Sequence, residues 1–418
     1  MNAQIVTIGD ELLIGQTINT NSAFIGEQLS NNQIDVRKIS VVADDEAEIL
    51  KEFKSALKEN DLVIITGGLG PTHDDITRKC VVKFFHTELV PNKEVLDDLK
   101  TFFKRRGRNL TKINEDQALV PKIAKAIRNE FGTAPGMWIE KDEKIFIVLP
   151  GVPSEMKGMI NSFVIPNLQE KIVKQDYVIK RSNLLTTGIP ESMLFERLGN
   201  LDELLEGAKL AFLPSQFGVK MRITVRESDE EQAINKLSEI EQKIRSKVGR
   251  FIYSIQDETL EQVISRLLKE RGLTIAVAES CTGGMISNLL TNISGSSQYY
   301  DRGVITYSNE SKMKLLNVKQ ETIEQYGAVS LEVARQMAEG IRNISGTDLG
   351  LSVTGIMGPT GASADKPIGL VYIGLCDDKS CTAKKFQFGD DRILNKQRTA
   401  QTALDMIRRY LLGIPFNE

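Results

Sequence analysis

The chain has 418 residues, a length typical of two or three domains with ordinary apolar cores. With 41% hydrophobic and 26% charged residues, the composition predicts a globular protein. The 53 Lys and Arg residues against 56 Asp and Glu leave a formal net charge of −3, so no general basic excess favours binding to nucleic acid or to an anionic membrane.

The positions of the His and Cys residues exclude several kinds of catalytic and structural site. Both histidines, His73 and His86, lie in the first fifth of the chain, so a nucleophile in the later part cannot be activated by an imidazole of its own domain. The four cysteines form no C-x-x-C pair, which argues against a disulfide scaffold and a structural zinc site. The chain has neither a leader-like N-terminus nor an apolar run of about 18 residues, so we expect a cytoplasmic protein without a membrane partner.

Residues 1–170 predict a first α/β domain. The predicted elements, in chain order, are a strand at 4–8, a helix at 19–30, a strand at 61–65, a helix at 74–86, a strand at 145–149 and a helix from Ser154. Each strand ends in a Gly-rich or polar loop. Because ligands of open α/β sheets bind at the carboxyl ends of strands, we expect these loops to form a site.

The loop of residues 66–75, TGGLGPTHDD, carries the clearest signal in this domain. Glycines let the backbone approach a phosphate, and free N–H groups at a helix start favour an anion. The candidate nucleotide-binding residues here and in the loop after 145–149 are Gly67, Gly68, Gly70, Thr72, His73 and Gly151. Acids recur at the strand ends and could hold a divalent cation that bridges phosphates, the candidates being Asp10, Asp74, Asp75 and Glu155. Asp74 and Asp75 could instead only cap the helix.

Residues 171–254 predict a small α+β module without a Gly-rich loop or an obvious chemistry. Its predicted elements are strands at 177–185 and 219–225 and helices at 191–198 and 230–247.

Residues 255–418 predict a second α/β domain with its own set of loops. Its predicted elements are a helix at 260–269, strands at 273–278, 303–307, 349–353 and 370–375, and a closing helix at 393–412. The first of these strands leads into the sequence ESCTGG, residues 279–284.

Ser280 is the candidate nucleophile of this domain. A hydroxyl at a tight strand-to-helix turn can be presented beside backbone N–H groups that form an oxyanion hole, although it could also be only an N-cap. Without His, its base would be a Lys or a Tyr, and residues 307–312 offer both. Cys281 is the alternative nucleophile, but a thiol beside an apolar strand without an imidazole is typical of an inert buried residue.

These motifs together resemble the CinA family over almost the whole chain. The segments IGDELLIGQTINTNS, TGGLGPTHDD and LPGVPSEM are similar to its molybdopterin-binding-type domain, and AESCTGG, YSNESK and TGIMGPTGASADKPIG to its nicotinamide-nucleotide amidase domain. The resemblance implies an α/β fold class, with a three-layer α/β/α domain like MogA and MoaB, a KH-like α+β module and a second α/β/α domain. The module lacks the G-x-x-G loop of nucleic-acid-binding KH domains, so we do not expect a nucleic-acid partner.

The resemblance also implies two activities in the recycling of NAD. The C-terminal domain would deamidate nicotinamide mononucleotide (NMN) without a cofactor, and the N-terminal domain would hydrolyse ADP-ribose with a divalent cation. The implied catalytic residues are Ser280, Lys312 and Tyr307. The implied substrate-binding residues are Thr282, Gly283, Gly284, Asn309, Thr354, Gly355, Gly358, Lys366, Arg392 and Arg398, and which arginine meets the substrate phosphate is left open.

The implied partners are small nucleotides and a second copy of the chain in a homodimer. Two other interpretations stay open. The N-terminal domain could bind a pterin or nucleotide without catalysis, or the protein could act in competence or the response to DNA damage as an interaction protein.

Overall fold

The computed structural model describes residues 1–70, 72, 75–171 and 177–415. Its contacts divide the chain into two compact units, residues 1–175 and 176–418, which are considered separately below. The predicted α/β class is confirmed, with one large mixed sheet in the first unit and two sheets in the second. In the described part of the chain, every helix is too short or too polar to cross a bilayer.

The first unit is built on a six-stranded sheet in the order β2-β1-β3-β8-β7-β6. The strands of this unit are β1 (Asn2–Ile8), β2 (Asp35–Val42), β3 (Leu62–Thr66), β4 (Leu89–Pro91), β5 (Leu119–Pro121), β6 (Lys125–Ile127), β7 (Gly136–Lys141) and β8 (Lys144–Leu149). Its helices are α1 (Asp10–Leu13), α2 (Thr20–Asn31), α3 (Glu46–Glu59), α4 (Thr77–Phe85), α5 (Lys93–Arg105), α6 (Lys112–Glu115), α7 (Pro153–Met159) and α8 (Ile165–Lys171).

Strand β3 shows why the apolar run at 61–65 indicates a parallel strand buried on both faces. Leu62 and Ile64 pack into the core on one side of the sheet, while Val63 and Ile65 pack into the core on the other. The strand pairs in parallel with β1 and with β8. A continuous apolar sequence is what such a central strand requires, because helices cover both of its faces.

The position of β1 creates a crevice at the carboxyl end of this sheet. From β1 the chain runs to β2 on one side and then returns to β3 on the other, and all three strands are parallel. Loops that leave neighbouring strands in opposite directions separate at such a point and leave room for a ligand.

The second unit begins with an antiparallel sheet in the order β10-β11-β9-β12. Its elements are β9 (Val178–Thr186), α9 (Glu191–Leu198), α10 (Leu201–Leu205), β10 (Lys209–Pro214), β11 (Val219–Glu227), α11 (Glu230–Val248) and β12 (Ile252–Ser254). The sequence did not predict β10 or β12. Residues of this module alternate between buried and exposed along β11, so one face of the sheet packs on helices.

The C-terminal sheet has the order β14-β13-β15-β16-β17. Its strands are β13 (Ile275–Glu279), β14 (Tyr300–Ile305), β15 (Leu349–Gly355), β16 (Leu370–Cys376) and β17 (Cys381–Gln387). Its helices are α12 (Leu260–Arg271), α13 (Met285–Thr291), α14 (Asn309–Leu316), α15 (Gln320–Tyr326), α16 (Leu331–Ser345) and α17 (Arg392–Leu412). Strand β13 lies between β14 and β15, parallel to both, so the end of β13 is again a point where the loops diverge.

Two features of this sheet differ from the sequence predictions. Strand β14 ends at Ile305, so the predicted strand at 303–307 extends two residues too far and Tyr307 lies in the following loop. Strand β17 was not predicted, and its first residue, Cys381, forms a disulfide with Cys376 of β16. This single bridge links two adjacent strands and is not the scaffold that the scattered cysteines argue against.

A buried ion-pair network joins the module to α17. Arg408 is 0% exposed and donates hydrogen bonds to Asp405 at 2.8 Å and to the carbonyl of Arg250 at 2.8 Å. Arg409 donates to the other oxygen of Asp405 at 2.7 Å. A buried charge is tolerated only when its hydrogen bonds are satisfied, so these contacts hold α17 against the last turn of the module.

Replacing Arg408 should therefore destabilise the second unit. We expect Arg408→Ala to cost about 3 kcal/mol of unfolding free energy, because buried Asp405 loses one of its two arginine partners and the part-buried Arg250 carbonyl loses its donor. Urea unfolding followed by circular dichroism measures this cost. The sequence has one Trp, Trp138 of the first unit, so its fluorescence transition should not move, and the exposed Arg105→Ala should shift neither signal. Coincident transitions for Arg408→Ala and the parent protein would contradict the assignment.

Candidate active site

Ser280 lies in the tight turn that joins β13 to α13. Its backbone N–H donates to the carbonyl of Val353 on β15 at 3.1 Å, which fixes the turn to the neighbouring strand. Gly283 and Gly284 follow with φ of 65° and 95°, a left-handed conformation that L side chains rarely adopt. The turn can therefore reverse direction at once and hold Ser280 at the sheet edge, where its side chain is 7% exposed.

Glu279 holds this turn in place through hydrogen bonds to its carboxylate, a role that was not predicted from the sequence. Its buried carboxylate accepts hydrogen bonds from the hydroxyl of Thr282 at 2.7 Å and from the backbone N–H groups of Gly284 and Ile286 at 2.9 and 3.2 Å. It also accepts from the backbone and hydroxyl of Ser287 at 2.8 and 2.6 Å. A carboxylate at the start of a helix satisfies the free N–H groups there, so Glu279 makes the turn rigid.

Lys312 belongs to α14, the helix that follows β14, and its side chain reaches Ser280 at the end of the adjacent strand β13. Its Nζ lies 3.1 Å from the Ser280 Oγ and also donates to the backbone carbonyls of Thr306 and Tyr307, at 2.7 and 3.4 Å. The residue is 2% exposed, and among the described residues no carboxylate forms an ion pair with it. Burial lowers the pKa of Lys312 from its usual value, because desolvation penalises the ammonium form.

Cys281, the alternative nucleophile, is placed very differently from Ser280. It packs in the apolar core beneath the turn with 6% exposure. Burial raises the pKa of the Cys281 thiol to about 12. The thiolate is the reactive form of cysteine, so this thiol is chemically inert at neutral pH, and Ser280 is the better nucleophile.

Tyr307 is placed otherwise than the sequence indicates. Tyr307 is 66% exposed, and its hydroxyl accepts a hydrogen bond from Arg392 Nη2 at 3.3 Å. Only its backbone carbonyl takes part in the contacts of Lys312. The reason is that β14 has already ended, so Tyr307 sits in a loop whose backbone, not side chain, turns towards the lysine.

The structure separates the two arginines that the sequence left as alternatives. Arg392, at the start of α17, is held beside the site by Tyr307 and by the carbonyl of Gly358, to which its Nη1 donates at 2.7 Å. Arg398 instead lines a cavity shared with residues 187–191 and 214–219 of the module. Lys396, which the sequence analysis missed, brings its Nζ within 3.4 Å of the position that a Cβ on Gly283 would occupy.

Helical spacing explains this division of charges. Residues four apart on a helix share a face, as Arg392 and Lys396 do, whereas a residue two positions further on points about 200° away. That spacing was present in the sequence and could have indicated Lys396.

Several other predicted substrate-binding residues make contacts outside the Ser280 turn. Thr354 donates its hydroxyl to the carbonyl of Ala328 at 2.8 Å, and Lys366 donates to the carbonyl of Tyr326 at 2.6 Å. Asn309 is the exposed first residue of α14. Gly355 closes β15 against β16, where an added Cβ would meet the Leu370 carbonyl at 2.8 Å.

A second candidate site lies in the first unit, at the crevice beside β1 and β3. A cavity of about 330 Å³ is lined there by the loops that follow these strands and by the start of α2. The predicted residues at its wall are Gly67, Gly68, Thr72, Asp75 and Gly151. His73 and Asp74 lie outside the described residues.

Asp75 has a structural role that the predicted helix 74–86 did not anticipate. Helix α4 begins only at Thr77, so Asp75 precedes it. Its carboxylate accepts from the backbone N–H and the hydroxyl of Thr72, at 3.0 and 2.5 Å. It also closely contacts Gly70, where a Cβ would come within 2.4 Å of its oxygen.

Asp44 and Glu11 are acids of this cavity that the sequence analysis missed. Asp44 and Asp10 exchange hydrogen bonds, each carboxylate accepting from the other's backbone N–H at 3.1 and 3.2 Å. Burial raises the pKa of Asp44, and the neighbouring charges of Asp10, Glu11 and Asp75 raise it further. Like charges held close together disfavour ionisation, so this wall of the cavity repels anions.

Glu155 does not join these acids. From α7 its carboxylate turns to the loop after β6, where it accepts a hydrogen bond from Asn129 Nδ2 at 2.6 Å and lies against Gly132. Burial raises the pKa of Glu155. Glu155 therefore does not line the cavity, and within the described ranges no three His, Cys, Asp or Glu side chains are arranged to hold a metal ion.

Comparisons with known proteins give the family. The "CinA C-terminal domain" model matches residues 257–411, the "Probable molybdopterin binding domain" model residues 4–170, and the "Damage-inducible protein CinA KH domain" model residues 181–254. A putative competence-damage inducible protein of Caldicellulosiruptor saccharolyticus is 44% identical over 413 residues, which cover 99% of this chain and 100% of the relative. The chain belongs to the CinA family.

A second full-length relative agrees with this assignment. A CinA-like protein of Kosmotoga olearia is 42% identical over 414 residues, covering 99% of this chain and 100% of the relative. Among solved structures, the competence/damage inducible protein CihA from Agrobacterium tumefaciens is 40% identical and covers 37% of this chain and 93% of that chain, with a TM-score of 0.36.

Proposed function

We propose that this CinA-family chain is a hydrolase that deamidates NMN at Ser280, yielding nicotinic acid mononucleotide and ammonia. The observation that carries the proposal is the contact of 3.1 Å between the Lys312 Nζ and the Ser280 Oγ in a turn held rigid by Glu279. A buried lysine with a lowered pKa is a base suited to a domain without histidine.

The proposed reaction proceeds in two steps. The Ser280 Oγ attacks the carboxamide carbon while Lys312 takes the hydroxyl proton, and this proton passes to the amide nitrogen as the C–N bond breaks and ammonia leaves. Water then attacks the ester, the bond to Ser280 breaks, and the hydroxyl regains a proton. Backbone N–H groups of the Cys281–Gly283 turn are our candidates for contacts to the developing oxyanion.

Two cations give this site a means of binding a phosphate. Arg392 and Lys396 lie on the same face of α17 and approach the loops around Ser280, Arg392 through Gly358 and Lys396 through Gly283. A guanidinium and an ammonium together suit the dianionic phosphate of a mononucleotide. A neutral amide without a phosphate would not need two cations. This supports a nucleotide rather than free nicotinamide as the substrate.

Substitutions of the two adjacent residues 280 and 281 distinguish the nucleophile. Ser280→Ala should lower NMN turnover by about 10³-fold or more, and Lys312→Met nearly as far, because the two groups act as one unit. Cys281→Ala should retain turnover within a few-fold and serves as the matched control. Ammonia release by purified variants measures these rates. An active Ser280→Ala with an inactive Cys281→Ala, or near-normal turnover by Lys312→Met, would refute the mechanism.

The pH dependence of the reaction follows from Lys312. The base must be neutral, and the protonated form dominates below its pKa, so kcat/KM for NMN should rise with pH through the pKa of the free enzyme. Because burial lowers this pKa, the rise should occur below the range of an ordinary lysine. Rates measured between about pH 6 and pH 10 test this expectation. A profile that is flat over this range would show that Lys312 is not the base.

As a second function, we propose that the cavity of the first unit binds ADP-ribose and hydrolyses its pyrophosphate. The cavity supports this because it combines the Gly-rich loop after β3 with a site at the strand divergence, where nucleotides bind in α/β sheets. The described acids do not form a ligand set for a metal, so we assign no step to a cation. Glu11, Asp44 and Asp75 would nevertheless repel a pyrophosphate unless a cation accompanies it.

Removal of divalent cations should therefore separate the two activities. We expect a chelator to abolish ADP-ribose binding and hydrolysis by the full chain and to leave NMN deamidation unchanged. Calorimetric titration with ADP-ribose, with and without added Mg²⁺ or Mn²⁺, gives a readout apart from turnover. Asp44→Asn should reduce the cation dependence, whereas Ser280→Ala should not alter it. Equal sensitivity of both activities to the chelator would contradict two separate sites.

A further inference from the structure

A large cleft in the second unit takes no part in either proposed activity. It measures about 790 Å³ and lies between the module and the C-terminal sheet, bordered by the start of α9, the β10–β11 loop and the middle of α17. Its lining includes none of Ser280, Lys312, Tyr307 or Arg392. Clefts of this size between packed substructures are common places for small-molecule binding.

Arg398 supplies the cleft with a positive charge that is not neutralised. Within the described residues no hydrogen bond or ion pair engages its guanidinium, although the side chain is only half-exposed. Asp405, which also lines the cleft, already accepts from Arg408 and Arg409 and so has no free charge to offer. Glu191 stands at the exposed rim.

The wall near Arg398 is polar and open. Gly389 lies beside it, and a Cβ there would be 4.0 Å from the Arg398 Nη1 and meet nothing else within that distance. Thr402 and Gln401 line the same wall, where the Thr402 hydroxyl donates to the Arg398 carbonyl at 2.8 Å and the Gln401 amide donates to the Thr187 hydroxyl at 3.4 Å. A guanidinium in such surroundings matches the oxygens of a phosphate, which it can bind through two parallel hydrogen bonds.

Two aromatic rings supply an apolar part of the cleft. Phe217 belongs to the β10–β11 loop, and this loop has a fixed shape because Ser215 N–H donates to the Gly218 carbonyl at 2.8 Å and the Thr187 hydroxyl donates to the Phe217 carbonyl at 3.3 Å. Phe388, a partly buried residue after β17, also lines the cleft and stacks on Phe386. The Phe217 ring is exposed and fixed in position, which favours stacking of a planar heterocycle on it.

We propose that this cleft is a binding site for a mononucleotide, with the phosphate on Arg398 and the base against Phe217 or Phe388. The site is distinct from the Ser280 turn and from the cavity of the first unit, and it does not depend on the functions proposed for them. Its volume accommodates a ligand with one ring system, one sugar and one phosphate.

Photolabelling of the full chain with an azido derivative of AMP, followed by peptide mapping, tests the location. We expect label in peptides that contain Phe217 or Phe388, and protection by excess AMP. Label confined to peptides of residues 1–171 would overturn the proposal, because AMP would then occupy only the first unit.

Binding to variants tests the chemistry. AMP affinity for this site should fall about 10-fold or more in Arg398→Gln, recover in part in Arg398→Lys, and fall about 3-fold or more in Phe217→Ala but not in Phe217→Tyr. Arg105→Gln, an equal charge change in the first unit, is the matched control, and thermal unfolding verifies that each variant folds. Inorganic phosphate and adenosine should each bind much more weakly than AMP. Unchanged affinity in Arg398→Gln, or phosphate binding as strong as that of AMP, would refute a mononucleotide site.

Discussion

The buried contact between Lys312 and Ser280 depends on more of the C-terminal fold than any other feature of the site. An ammonium held at 2% exposure by one hydroxyl and two carbonyl groups is costly unless every hydrogen bond is made. Those acceptors come from the turn after β13 and the loop after β14, so the parallel pairing of these strands creates the lysine's environment. The same burial that costs stability shifts the lysine towards its neutral, basic form.

Ser280 and Cys281 are adjacent residues after strand β13, and this difference of one position decides which side chain can act as the nucleophile. The Ser280 side chain meets Lys312 at the sheet edge, and the next side chain enters the apolar core. Both residues lie in the turn after β13, where the backbone changes direction between them, so their side chains leave towards different surroundings. Glu279 then fixes this choice, because its bonds to the start of α13 prevent the turn from rotating.

Both units have a crevice after a central parallel strand of their sheet, but the charged residues near the two crevices have opposite signs. In each, a central parallel strand is followed by loops that diverge and leave a crevice. In the first unit, acids line part of the crevice, and burial together with these neighbouring charges raises the pKa of Asp44. In the second, Arg392 and Lys396 approach the crevice from α17. The first arrangement favours anions accompanied by a cation, and the second favours anions directly, so the fold alone does not determine the ligand.

The sequence by itself determined the α/β class, the loops at the strand ends, and Ser280 as the candidate nucleophile, and it left the base open between a lysine and a tyrosine of residues 307–312. These follow from local patterns, since apolar runs mark central strands and the absence of His limits the possible bases. Tertiary structure alone decided that Tyr307 faces outward, that Glu155 turns towards Asn129, and that Asp44 meets Asp10. Such directions depend on where an element ends and on what packs against it, and a shift of one or two residues rotates a side chain to another face. Contacts between segments distant in sequence, such as Lys396 beside Gly283, arise only once the strands and helices are assembled.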